Sequence, residues 1–305
     1  MADKNITVAC IGLGRMGAGI ADNIQRACFH LTVYNRTPER TERFVAAGAR
    51  CARTPREAVE AADIVITSLM DDASVLEVVN GADGILAGMR AGAVHAGTTT
   101  TSPNLSTRLA ELHAARGSEY VAAHVLGRPD AAAAGKLVTL IAGKPKAIER
   151  ARQVIDAYSA RVILIGEDPA VASSMKLVGN FFLAGLVEVM GEAFAFAEHR
   201  GVLAPFSEMV KSFLPGSQEY VDRIRSCDFD RAGFTLDAGL KDIRLILEAA
   251  AEVYVPLPCA SLVRDRCIAA QARGLNQRDW SVFTAISRID AGRSDESGAG
   301  RGAGA

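Results

Sequence analysis

The sequence predicts a two-domain protein: an α/β domain with a mostly parallel, doubly wound sheet, then an all-α domain, joined by a long interdomain helix. Three observations predict it. Up to about residue 165, short β-rich runs alternate with helical patterns, and such alternation builds a parallel sheet covered by helices on both faces. After Gly166 the alternation stops, and a helical stretch over about 168–198 has no proline after Pro169. The 305 residues also suit about two domains of roughly 100–200 residues each. The boundaries drawn are 1–166 for the α/β domain, 167–291 for the helical one and 292–305 for a tail.

The elements follow in order. Strands are read at 6–11, 31–35, 64–69, 93–96, 120–123, 137–142 and 162–165. Thr37-Pro38-Glu39 and Thr54-Pro55-Arg56-Glu57 each place a hydroxyl cap, a proline in the first turn and a carboxylate close behind, which is a helix start. Ser102-Pro103 opens another helix in the same way. Beyond the long helix, further helices are expected at 204–213, 217–226, 236–251, 257–273 and 279–289. Residues 292–305 are rich in Gly, Ala and Ser without periodicity and are expected to be disordered.

Composition narrows the function classes. A net charge of -1 and a pI of 6.5 provide no basic field for nucleic acid or anionic lipid, so neither nucleic acid nor membrane is an expected partner. The most apolar run, 181–197, contains Glu188 and Glu192 and reads as a buried helix of a soluble protein. Met1-Ala2-Asp3-Lys4-Asn5 runs straight into a strand without signal-peptide anatomy, so a cytoplasmic location is expected. The six cysteines and five histidines are scattered; no metal-ligand spacing exists and no metal is expected.

Gly12-Leu13-Gly14-Arg15-Met16-Gly17 is a G-x-G-x-x-G that follows the first strand and opens the first helix. Gly12 makes the tight turn, Gly14 lets backbone approach a pyrophosphate, and Gly17 lets helix pack on strand. The helix start adds amide donors and a favourable dipole. In this context the motif marks a Rossmann dinucleotide site. About 20 residues on, an NAD site would carry Asp or Glu for the ribose 2′-hydroxyl. Here the second strand ends in Tyr34-Asn35-Arg36-Thr37. No carboxylate repels a 2′-phosphate, and Arg36 can pair with one, unless it is merely a solvated loop residue. NADP is expected as cofactor in preference to NAD.

These residues bring a family into view. Over roughly 5–290 the chain resembles the β-hydroxyacid dehydrogenases, the group of 3-hydroxyisobutyrate dehydrogenase, tartronate semialdehyde reductase and glyoxylate reductase, related to imine reductases. Four segments carry the resemblance: the glycine loop with Asn35-Arg36-Thr37; Gly97-Thr98-Thr99-Thr100-Thr101-Ser102-Pro103, similar to a D-x-S-T-x-x-P loop; Ala123-His124-Val125-Leu126-Gly127-Arg128, where the family has a P-V-S-G-G type loop; and Lys176-Leu177-Val178-Gly179-Asn180, similar to its K-x-x-x-N helix. A Lys241-Asp242 pair also matches. The chain departs from the family at Leu126, where a serine helps to bind the substrate carboxylate, and at Gly97, where the threonine loop opens with aspartate. Arg128 is either a replacement carboxylate clamp or a surface charge.

The resemblance implies hydride transfer between a nicotinamide and a small β-hydroxyacid or semialdehyde acid, in a homodimer or dimer-based oligomer. It implies cofactor contacts from Gly12, Leu13, Gly14, Arg15, Met16, Gly17, Asn35, Arg36, Thr37, Leu69, Met70, Thr100 and Lys241. Substrate contacts fall to Thr99, Leu126, Gly127 and Arg128, and catalysis to Lys176 and Asn180. For Thr99 and Thr100 the competing reading is a helix-capping turn; for Lys241, an exposed helix lysine.

Lys176 also draws attention without the family. It sits in a helix almost free of other charge, and an ammonium there is costly unless it is paired, faces a polar cleft, or snorkels out. Asn180 lies one turn further on the same face. Hydride transfer to a carbonyl leaves an alkoxide, which Lys176 can protonate, and the reverse in oxidation. The alternatives are an imine reductase, whose catalytic helix usually carries Asp or Tyr instead of lysine, and a nucleotide-binding protein without catalysis.

Overall fold

The structure, a computed structural model, describes residues 6–293, and the chain divides into two compact units at Leu177/Val178. The first unit holds strands β1 (Thr7–Ile11), β2 (His30–Tyr34), β3 (Arg50–Cys51), β4 (Ile64–Thr67), β5 (Val94–Gly97), β6 (Glu119–Leu126), β7 (Leu137–Ala142) and β8 (Ser159–Gly166). They form one eight-stranded sheet in the order β3-β2-β1-β4-β5-β6-β7-β8. The chain starts in the middle and winds outward both ways, which puts the switch point beside the end of β1. Neighbours run parallel except β6 and β7. The reversal follows from length: residues 127–136 between these strands are too few for a parallel crossover, which takes a dozen or more.

Central strands are apolar on both faces, as burial under two helical layers demands. Alternate residues of β1 divide between two cores. Val8 and Cys10 join Ile20, Ile24, Val33 and Ile66 on one face, whereas Ala9 and Ile11 join Val65, Val75, Leu109 and Tyr120 on the other. The helices of this unit are α1 (Arg15–Arg26), α2 (Glu42–Ala46), α3 (Pro55–Val59), α4 (Asp72–Asn80), α5 (Ile85–Gly88), α6 (Pro103–Ala114), α7 (Pro129–Ala133) and α8 (Pro145–Ile155), followed by the first turns of α9 (Pro169–His199). The expected caps are in place at two of the three proline starts: Thr54 accepts from the Glu57 amide and Ser102 from the Leu105 amide. At Thr37 the proline opens a short 3₁₀ turn with no side-chain cap. The edge strand β3, two exposed residues long, escapes pattern reading because it has no apolar alternation.

The second unit holds the rest of α9, then α10 (Leu203–Phe213), α11 (Gln218–Ser226), α12 (Leu236–Glu252), α13 (Pro258–Gln271) and α14 (Ala285–Asp290). No strand is assigned among its described residues. Two expectations are corrected here. The single helix over 279–289 is instead a 3₁₀ turn, Trp280–Thr284, running into α14. Asp279 takes both the amide and the hydroxyl of Ser281, and the Trp-Ser-Val-Phe-Thr run is weak in α-propensity. Second, α9 is long and apolar enough by composition to cross a membrane, yet it is not buried all round. Val178, Phe182, Val189 and Phe196 are 61–73% exposed. On its covered side Glu188 is buried and bonded to Arg266 at 3.0 Å. The expected tail lies, from residue 294 on, outside the described residues.

Candidate active site

The glycine loop leaves β1 at the switch point, and each glycine shows its reason. Gly12 has φ +91°, and a Cβ there would sit 2.3 Å from the Ser68 carbonyl oxygen. A Cβ at Gly17 would sit 2.0 Å from the Gly12 carbonyl oxygen. At Gly14 nothing of the protein lies within 4 Å of that position, so a ligand can come close to the backbone. Gly14 caps α1 without a side-chain hydrogen bond, and no acidic residue stands in the first turn. The first-turn amides therefore suit a pyrophosphate. Leu13 is buried, Met16 half-buried and Arg15 exposed. These residues fit a dinucleotide.

Asn35 is a brace. Its Oδ1 accepts from the Leu13 amide at 2.8 Å, and its Nδ2 donates to the Thr37 carbonyl at 2.9 Å. The side chain thus fixes the glycine loop to the end of β2. Arg36 and Thr37 are exposed, with the Arg36 guanidinium available to solvent. Leu69 is half-buried beyond β4, and its amide donates to Thr99 Oγ1 at 2.8 Å. Met70 is 62% exposed. Thr98 donates to the Thr67 carbonyl at 2.8 Å. Thr98 and Thr99 thereby tie the β5 loop to the β4 loop, a task neither the ligand nor the capping reading foresaw. Thr100 is half-buried.

Leu126 ends β6, paired across the sheet with Val138. Gly127 follows with φ +135°, where a Cβ would lie 2.7 Å from the Leu137 side chain. Arg128 is the half-buried N-cap residue of α7. The helix that follows, α7, is held to α1 by Asn23, whose Nδ2 donates to the carbonyls of Gly19 and Ala132 at 2.8 and 2.7 Å. Gly19 lets the helices close up, since a Cβ there would meet the Ala133 nitrogen at 2.7 Å. Asn23 carried no sequence signal beyond being a polar residue in a helix.

Lys176 is half-buried on α9, and its ammonium donates to the Val125 carbonyl at 2.9 Å. It does not stand in open solvent. Beside it runs a buried polar chain that pattern reading passed over. Ser173, three residues earlier, meets His124 Nε2 at 2.8 Å and Ser106 Oγ at 2.7 Å, and Ser106 meets Thr101 at 3.1 Å. A second buried chain links Thr67 to His95, His95 to His113 and His113 to Ser118, at 2.8, 3.0 and 2.9 Å. Burial and then His113 depress the His95 pKa, and burial lowers that of His113 to about 4, so both rings are neutral at pH 7.

Within the second unit, Asn180 Nδ2 donates to Asp242 Oδ2 at 2.7 Å, while the Lys241 ammonium pairs with Asp242 Oδ1 at 2.6 Å. Asp242 is buried and organises both partners. Its role was legible only as the neighbour of Lys241. Among the described residues no group of three potential metal ligands forms.

Residues 7–166 match the family model for the NAD binding domain of 6-phosphogluconate dehydrogenase. Residues 171–286 match the model described as NAD-binding of NADP-dependent 3-hydroxyisobutyrate dehydrogenase. An uncharacterized oxidoreductase, YfjR, of Bacillus subtilis is 40% identical over 279 residues, covering 90% of this chain and 98% of the relative. The 3-sulfolactaldehyde reductase of Escherichia coli is 28% identical over 294 residues, covering 93% and 97%. Among solved structures, a 3-hydroxyisobutyrate dehydrogenase of Mycobacterium tuberculosis matches with TM-score 0.83 and 25% identity, over 93% of this chain and 99% of that one. With the Gly12–Gly17 cradle and Lys176 in place, the chain belongs to the β-hydroxyacid dehydrogenase family, NAD(P)-dependent oxidoreductases acting on CH–OH groups.

Proposed function

We propose that this protein is an NADP-preferring enzyme that interconverts a small β-hydroxyacid and the corresponding aldehyde or semialdehyde acid, with Lys176 as proton donor and acceptor. The observation that carries this reading is the half-buried ammonium of Lys176 held on the Val125 carbonyl, directly before the loop assigned to substrate. When bound, the nicotinamide supplies or takes the hydride. In reduction, the carbonyl oxygen becomes an alkoxide and takes a proton from Lys176 Nζ; the neutral amine then regains one from solvent. Asn180, held by Asp242, orients the reacting oxygen. Arg128 supplies the positive charge for the acid group in place of the family's serine, where Leu126 stands. Arg36 pairs with the 2′-phosphate.

The assay is NADPH oxidation with succinic semialdehyde, glyoxylate and tartronate semialdehyde, set against a cyclic imine. Turnover of the imine alone would make the protein an imine reductase; turnover of none would overturn the proposed substrate class. Lys176→Ala is expected to lower kcat/KM by roughly 10²- to 10⁴-fold while NADPH still binds. A variant that kept most of its kcat/KM would remove Lys176 from the proton transfer.

The second partner proposed is another copy of the chain. The exposed Val178, Phe182, Val189 and Phe196 repeat at near-helical spacing along α9, a stripe that a helix normally covers.

A further inference from the structure

We infer that His124 and Ser173 are positioning residues that set the rotation and height of α9, and through it the place of the Lys176 amine. The inference rests on the proton-transfer reading of Lys176.

Four side chains, Thr101, Ser106, Ser173 and His124, are each at most 1% exposed. They form one connected chain of hydrogen bonds at 3.1, 2.7 and 2.8 Å. Ser173 is its junction: the same hydroxyl bonds a strand through His124 on β6 and a helix through Ser106 on α6. Ser173 and Lys176 are three residues apart, so they share a helix face. Their partners, His124 and the Val125 carbonyl, are consecutive on β6. Two successive residues of one strand therefore hold two successive contacts of one helix face, and the first fixes the second.

Apolar side chains could fill this space equally well. A pair of apolar groups of matching shape in place of two bonded polar ones is close to neutral for stability. What apolar packing lacks is direction. A hydroxyl bonded on two sides locks the helix against sliding and turning, whereas apolar faces tolerate small shifts. The Lys176 amine needs that lock, because misplacing a reacting group by about 1 Å can cost around 10²-fold in rate.

Two variants separate positioning from mere stability. His124→Leu leaves Ser173 short of a partner, so both thermal stability and kcat should fall. The double variant His124→Leu/Ser173→Ala removes the polar pair together and should recover much of the lost melting temperature. Its kcat, with the aldehyde acid that the panel above identifies, should stay roughly 10- to 100-fold down, with KM and NADPH affinity near those of the parent. His124→Gln, whose amide can reach Ser173, should regain part of that kcat. Hydrogen exchange of the 173–177 amides, read without cofactor or substrate, should remain faster in the double variant.

A double variant whose kcat returns with its stability would overturn the inference, as would His124→Leu with full kcat. If Lys176→Ala itself stays active, the parent reading fails. If Lys176→Ala is dead while the double variant has parental kcat, only the positioning role falls.

Discussion

Arg36 stands exposed at the end of β2, one residue beyond the asparagine that braces the glycine loop. A guanidinium held near water at this place contributes little to the fold, so its worth lies in what it pairs with. Charge-assisted hydrogen bonds contribute about 1.5–3 kcal/mol, and Arg36→Ala should weaken NADPH by roughly 10- to 100-fold. NADH, lacking the phosphate, should change little. Equal losses in titrations of both dinucleotides would end the 2′-phosphate argument. The buried histidines act on stability instead. His113 has its pKa lowered by burial to about 4, below the roughly 6.5 of an unfolded histidine. A depressed value means that the fold favours the neutral ring. The stability it supports is whole above about pH 6.5 and drains away as pH falls toward 4, by about 3 kcal/mol for His113, with His95 adding in the same direction. Urea unfolding at pH 7, 5.5 and 4 measures this, and a flat profile would contradict it.

The α7 helix, which follows the 126–128 loop directly, is packed on α1. Asn23 saturates the carbonyls of Gly19 and Ala132, and Gly19 keeps the helices close. Asn23→Leu removes the side-chain donor to two carbonyls and leaves them their backbone bonds alone, and should cost about 1 kcal/mol. Gly19→Ala meets backbone at 2.7 Å and should displace α7. Both should raise KM for the acid substrate while leaving NADPH affinity near normal; an unchanged KM in a folded variant would detach α7 from substrate binding. The same elements show how far pattern reading goes. The G-x-G-x-x-G, the alternation in β1 and the cap at Ser102 are local signals and were legible. Asn23, Ser173 and His124 were not, because their partners lie 109, 67 and 49 residues away.

For the whole molecule, the α9 stripe sets the expectation. Phe182 and Phe196 are 73% and 69% exposed, an apolar face that favours burial against a second copy at roughly 25 cal/mol per Å². Phe182→Glu/Phe196→Glu should convert the proposed wild-type dimer to monomer in sedimentation velocity. A wild type that is monomeric at micromolar concentration would end the dimer proposal.

Periodicity, glycine placement and capping residues act within a turn or a strand, so the α/β domain, the dinucleotide loop and the long helix could be read directly from the residue order. The burial of one side of α9 alone and the bond from Lys176 to Val125 could not. Each depends on which distant segments meet, and that is settled by packing and hydrogen-bond satisfaction in three dimensions. A lysine in an apolar helix announces only that its charge must be accommodated; the fold chose the carbonyl that accommodates it.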